Sequence, residues 1–148
     1  MMTDYGNVEI LLVEDNPHDA EMLIRALKKN NFLNKVFWVK DGAEALDFLK
    51  CTGTYADRDP SEMPKLVLLD LKMPKVGGID VLRYIKANES SRSVPVLMVT
   101  SSNEERDVVE CYQLGANGFV VKPVDFANFT EAVAKIGMYW LLVNRVPG

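Results

Sequence analysis

The stretch Leu66-Val-Leu-Leu-Asp70-Leu-Lys72-Met-Pro74 decides the fold. Its unbroken apolar run reads as a strand buried on both faces, the state of a central parallel strand. The run stops at Asp70, and Pro74, Gly77 and Gly78 then make a turn. In an open α/β sheet, ligands bind just beyond the carboxyl ends of the strands. Asp70 is therefore expected at the ligand-facing edge. A strand-end aspartate taken alone more often caps a turn, so the other strand ends must decide.

Working outward, Val8 to Val13 is an apolar strand that ends in Glu14-Asp15. Asn16-Pro17 suits the cap and first position of a helix. In that helix Ala20, Leu23, Ile24 and Leu27 form the inward stripe, and Glu21, Arg25 and Lys28 face water. Lys35 to Val39 is a second strand, and Asp41-Gly42 opens a second helix. A long polar connection runs from Thr52 to Lys65; a loop of that length is functional or mobile. Beyond the central strand come a third helix with Val81, Leu82 and Ile85 inward, and a fourth strand, Pro95 to Thr100. Ser102-Asn-Glu-Glu105 fits a capping box for the fourth helix, which stops at Gly115. Gly118 to Val121 is the fifth strand, and Asp125 caps a last helix expected to reach about residue 144. Five strands alternating with five helices imply one α/β domain over residues 1–148. The expected sheet is parallel and doubly wound, a flavodoxin-like (βα)5 arrangement of order 2-1-3-4-5.

Composition narrows the function classes. The 148 residues carry a net charge of −4 and no Lys/Arg run, which argues against nucleic-acid binding. The longest apolar run, Met138 to Val143, is too short to span a bilayer, so no membrane partner is expected. The first residues lack the basic-then-apolar pattern of a signal peptide. Cys51 and Cys111 lack metal or redox spacing and fit free thiols in a reducing cytoplasm. His18 is the sole histidine, which excludes a multi-His metal site, and it is expected exposed.

Chemistry emerges when the strand ends are aligned. Glu14-Asp15, Asp70, Thr100-Ser101-Ser102 and Lys122 all leave the same edge. Three crowded carboxylates repel one another and are costly without a cation. Hard oxygen ligands with open positions suit Mg²⁺. Lys122 and Thr100 supply donors for a further anion, a phosphoryl group in this reading. An aspartate in that setting is equipped for nucleophilic attack on phosphorus.

The sequence resembles a response-regulator receiver domain over nearly its whole length. The motifs are Val13-Glu14-Asp15-Asn16, Asp70-Leu-Lys-Met-Pro74, Thr100-Ser101 and Phe119-Val-Val-Lys122-Pro123. The resemblance implies Asp70 as phosphoacceptor. It implies Mg²⁺ held by Asp15, Asp70 and the backbone carbonyl of Lys72, with Glu14 acting through water. Thr100 and Lys122 would contact the phosphoryl oxygens, Phe119 would be the aromatic switch, and Lys122-Pro123 would be cis. Such a chain is no enzyme in its own right: it catalyses only its own phosphorylation and dephosphorylation. Its expected partner is a sensor histidine kinase. Gly53-Thr-Tyr55 and the ending Ile136 to Asn144 resemble stand-alone receivers that partner bacterial phytochromes. One departure is Gly77, which stands where Asp or Asn commonly precedes the glycine matching Gly78.

These residues bear on three alternatives. A flavodoxin-like cofactor site needs a Ser/Thr/Gly phosphate cradle where this chain has Glu14 and Asp15. An aspartyl phosphatase needs a second acid two residues past its nucleophile, and that position is Lys72. A binding module used without phosphorylation remains, although such modules usually lack one of the acids, the Thr or the Lys. Finally, Phe126, Phe129, Val133, Ile136, Trp140 and Val143 make an apolar stripe on the last helix, with Met138, Tyr139, Leu141 and Leu142 around it. That surplus predicts a symmetric homodimer through helix 4, strand 5 and helix 5, with Tyr139 and Leu142 near its centre.

Overall fold

The computed structural model describes residues 8–30, 34–73, 76–101, 105–138 and 141. Elements alternate as β1 (Ile10–Val13), α1 (Pro17–Lys29), β2 (Val36–Val39), α2 (Gly42–Lys50), a 3₁₀ turn (Gly53–Tyr55), β3 (Leu66–Asp70), α3 (Gly78–Ala87), β4 (Val96–Thr100), α4 (Glu105–Gln113), β5 (Gly118–Val121) and α5 (Phe126–Lys135). All strand pairs are parallel, in the order β2-β1-β3-β4-β5. This is the expected flavodoxin-like sheet.

Side chains alternate across a strand, and that alternation sorts the core into two layers. Leu11, Val13, Val67, Leu69, Val96 and Met98 pack on one face with α2 and α3. Ile10, Leu12, Leu66, Leu68, Leu97, Val99 and Val120 pack on the other with α1 and α5. Strands buried on both faces explain the unbroken apolar runs in the sequence. Three expected caps form: the Asn16 side chain accepts from the His18 and Asp19 N–H groups, Asp41 from Glu44 and Asp125 from Asn128. The capping box expected at Ser102 to Glu105 rests on Ser102, which lies outside the described residues. Just below the site, a Cβ on Gly78 would lie 2.2 Å from the Asp70 carbonyl oxygen, so only glycine lets α3 start that close to β3. His18 is exposed, as expected.

The connection from Thr52 to Lys65 is held in place. Arg58 is buried, with its guanidinium 4.0 Å from the Phe48 ring centroid. It donates to the carbonyls of Phe48 and Glu62 and to Cys51 Sγ. Phe37, Phe48 and Tyr55 form an aromatic cluster beside it, and the Tyr55 hydroxyl donates to Glu44.

The last helix corrects an expectation. α5 ends at Lys135, far short of residue 144. Gly137 adopts φ +79°, a left-handed conformation that glycine takes without penalty. The Met138 N–H then returns to the Val133 carbonyl at 3.1 Å, and Gly137 N–H to Ala134 at 2.9 Å, closing the helix as a Schellman cap does. Past the cap, Met138 and Leu141 are buried in the α1/α5 layer. Two residues read as an overhanging helix surface are therefore core. Tyr139, Trp140, Leu142 and Val143 lie outside the described residues.

Candidate functional site

The carboxylate oxygens of Glu14, Asp15 and Asp70 lie within 4.8 Å of one another at the carboxyl edge of the sheet. Glu14 and Asp70 are buried; Asp15 is exposed. Burial and the neighbouring Glu14 push the Asp70 carboxyl up to about 8. The Trp38 indole N–H donates to the Glu14 carbonyl at 2.8 Å and fixes the turn that carries the two acids. The Asn16 N–H donates to Glu14 Oε2 at 3.2 Å, and the Lys72 N–H to Asp70 Oδ1 at 3.3 Å.

Lys122 closes the cluster. Its ammonium lies 3.0 Å from Glu14, 3.2 Å from Asp19 and 3.3 Å from Asp70. Burial alone would lower its pKa, yet the carboxylates together hold it above the ordinary lysine value. The strand alternation that puts Val120 on the α1 face carries Lys122 to that side, where α1 supplies Asp19. The Lys122-Pro123 peptide bond is cis.

Thr100 is buried at the end of β4, its carbonyl accepting from the Lys122 N–H at 2.8 Å. Phe119 packs against the α2/α3 layer, its ring 5.3 Å from that of Tyr112. Gly77 caps α3 without a side-chain bond of its own; Asp80 reaches back to its N–H at 3.4 Å. The sequence-predicted Glu14, Asp15, Asp70 and Lys122 thus converge. Asp19 and Trp38 were not anticipated. Asp19 looks like an ordinary solvated acid of a first helical turn, and Trp38 like a strand residue.

The donor set suits a hard divalent cation: oxygens only, two of them on buried carboxylates, with a mutual repulsion that a cation relieves. A sign follows for stability without metal. Asp70 binds its proton more tightly folded than unfolded, where its value is 3.8. The native state therefore gains stability that is fully present below that value and is lost as pH rises through about 8. In EDTA the melting temperature is expected to fall between pH 5.5 and 8, and Asp70→Asn to flatten that slope. At pH 8, millimolar Mg²⁺ is expected to raise it by the mass-action amount, and Asp15→Asn to remove most of the gain. A melting temperature indifferent to both pH and Mg²⁺ would contradict this reading of the cluster.

The family model described as "Response regulator receiver domain" matches residues 10–134. The chain belongs to the response regulator receiver family. This receiver domain is 34% identical to "Response regulator Rcp1" of Synechocystis over 148 residues, covering 99% of each chain. Among solved structures, it is 51% identical to "bacteriophytochrome response regulator AtBRR", with a TM-score of 0.80 over 88% of this chain and 93% of that one. It is 46% identical to "Bacteriophytochrome response regulator RtBRR", with a TM-score of 0.82 over 93% of this chain and 82% of that one. No helix among the receiver's described residues is long and apolar enough to cross a membrane.

Proposed function

We propose that this receiver accepts a phosphoryl group on Asp70 from the phosphohistidine of a sensor histidine kinase. The observation that carries the reading is the convergence of Lys122 on the cluster formed by Glu14, Asp15 and Asp70. Asp15, Asp70 and the Lys72 carbonyl would hold Mg²⁺ directly, and Glu14 through water. Bound there, the ion neutralises charge on the transferring phosphoryl oxygens. A carboxylate oxygen of Asp70 attacks phosphorus in line with the histidine nitrogen. The P–N bond breaks, its electron pair stays on the imidazole, and an acyl phosphate forms on Asp70. Lys122 moves onto a phosphoryl oxygen, and the Thr100 hydroxyl donates to another.

The response is a shift between two packings. Thr100 moving toward the phosphate makes room for Phe119 to turn inward, away from Tyr112. The chain works in the cytoplasm and is no enzyme beyond its own phosphorylation and dephosphorylation. Similarity to Rcp1 and to bacteriophytochrome response regulators supports a bacterial phytochrome as the kinase. The decisive test is incubation with acetyl phosphate and Mg²⁺. Acid-stable, base-labile label that EDTA prevents is expected; a chain that takes none is a binding module used without phosphorylation.

The same reading includes a homodimer through α4, β5 and α5. Val109, Tyr112 and Val121 on α4 and β5 are large apolar residues 46%, 49% and 50% exposed, which supports a contact there. Met138 and Leu141 no longer contribute, being core. Sedimentation is expected to show dimers that strengthen with beryllium fluoride and weaken in Tyr112→Asp. A wild-type chain that stays monomeric at high micromolar concentration in both states would rule the dimer out.

A further inference from the structure

The Lys122 ammonium has three protons to donate, and three carboxylates surround it. Two of them, Glu14 and Asp70, belong to the cluster that suits a divalent cation; the third, Asp19, does not. Asp19 occupies the third position of α1, where an acid often reaches back to the N–H of the capping residue. Here the Asn16 N–H is taken by Glu14 Oε2 at 3.2 Å instead. The Asp19 carboxylate meets Lys122 at 3.2 Å beside a small recess lined also by Leu12, Met22, Val99 and Val124.

The geometry points to Asp19 as a positioning residue that holds Lys122 back from the phosphoryl group. This rests on the phosphotransfer reading above. At rest every Lys122 proton faces a carboxylate. Once Glu14 and Asp70 engage a cation, two of those protons are released. The third stays with Asp19 and tethers the ammonium on the α1 side, so an incoming phosphoryl oxygen must draw it away. Asp19 also adds negative charge beside a site that must receive an anion. Asp19 thereby sets how readily a phosphodonor is accepted, without touching metal or phosphorus.

The test compares wild type, Asp19→Asn and Asp19→Glu at saturating Mg²⁺. Asparagine preserves the helix turn and removes the charge. Its half-saturating acetyl phosphate concentration is expected to fall about threefold to tenfold, as removal of one partly screened charge allows. Glu should restore the wild-type value. Mg²⁺ affinity without phosphodonor, followed by Trp38 emission in a Trp140→Phe background, is expected to fall by no more than about tenfold, because Asp19 supplies charge near the cation but no ligand atom. An asparagine variant that labels like wild type overturns the proposal while leaving phosphotransfer intact. A hundredfold or greater loss of Mg²⁺ affinity also overturns it, since Asp19 would then act as a metal ligand. A wild-type chain that takes no label fails the phosphotransfer reading itself, and the role of Asp19 falls with it.

Discussion

Asp70→Asn is expected to abolish phosphoryl labelling from acetyl phosphate, in a protein that remains folded. The amide is nearly the same size and sits at the end of a strand whose other residues fill the core. It lacks the nucleophilic oxygen, and no other described carboxylate combines burial with the partners that Asp70 has. Glu14, the other buried acid, comes from the turn after β1 and is itself paired with Lys122. Removing one of two buried like charges also relieves the burial cost and the Glu14 repulsion that push the Asp70 carboxyl up. The variant should therefore melt higher than wild type in EDTA at pH 8, while losing all base-labile label. Full labelling of Asp70→Asn would place the acceptor elsewhere and defeat the site assignment.

Arg58→Ala is expected to be among the most destabilising single changes outside the site. Arg58 is 5% exposed, and its acceptors are the carbonyls of Phe48 and Glu62. Charge-assisted hydrogen bonds contribute roughly 1.5–3 kcal/mol each, and alanine leaves the buried Phe48 carbonyl without this donor. Loss of the guanidinium over the Phe48 ring adds to this. A total of about 3–5 kcal/mol lowers the melting temperature of a domain this size by roughly 6–20 °C. Arg58→Lys should recover only part of it, because an ammonium cannot bridge the two carbonyls as the planar fork does. The connection lies at the amino end of β3 and Asp70 at its carboxyl end, so label per folded molecule should not change. A destabilisation below about 1 kcal/mol, the range of an ordinary surface substitution, would show that Arg58 does not hold this loop.

Strand order and the acid cluster were both legible because each depends on local pattern. A continuous apolar run has to be a strand with both faces covered. Alternation with helices has to give a parallel sheet. Strands that run parallel have to deliver their last residues to one edge, which is why Glu14, Asp15, Asp70 and Lys122 could be placed together from sequence alone.

The reach of long side chains and the burial of charge were not legible, because residues distant in the chain decide them. Nothing around Asp19 announces that Lys122, on β5's far end, will meet it. Nothing in the polar run from Thr52 to Lys65 says that Arg58 will be the residue turned inward, since that depends on the Phe48 ring and the carbonyls it meets there. The helical periodicity of the C-terminal stretch was real as far as Lys135, but Gly137 stops the helix there. The sequence carries that glycine; only the fold shows that turning there lets Met138 and Leu141 bury against the sheet. Pattern thus determined the sheet and the edge where its acids meet. Tertiary packing decided which charges pair across that edge and where the last helix ends, because ion pairs and buried caps depend on surfaces that exist only once the chain has closed.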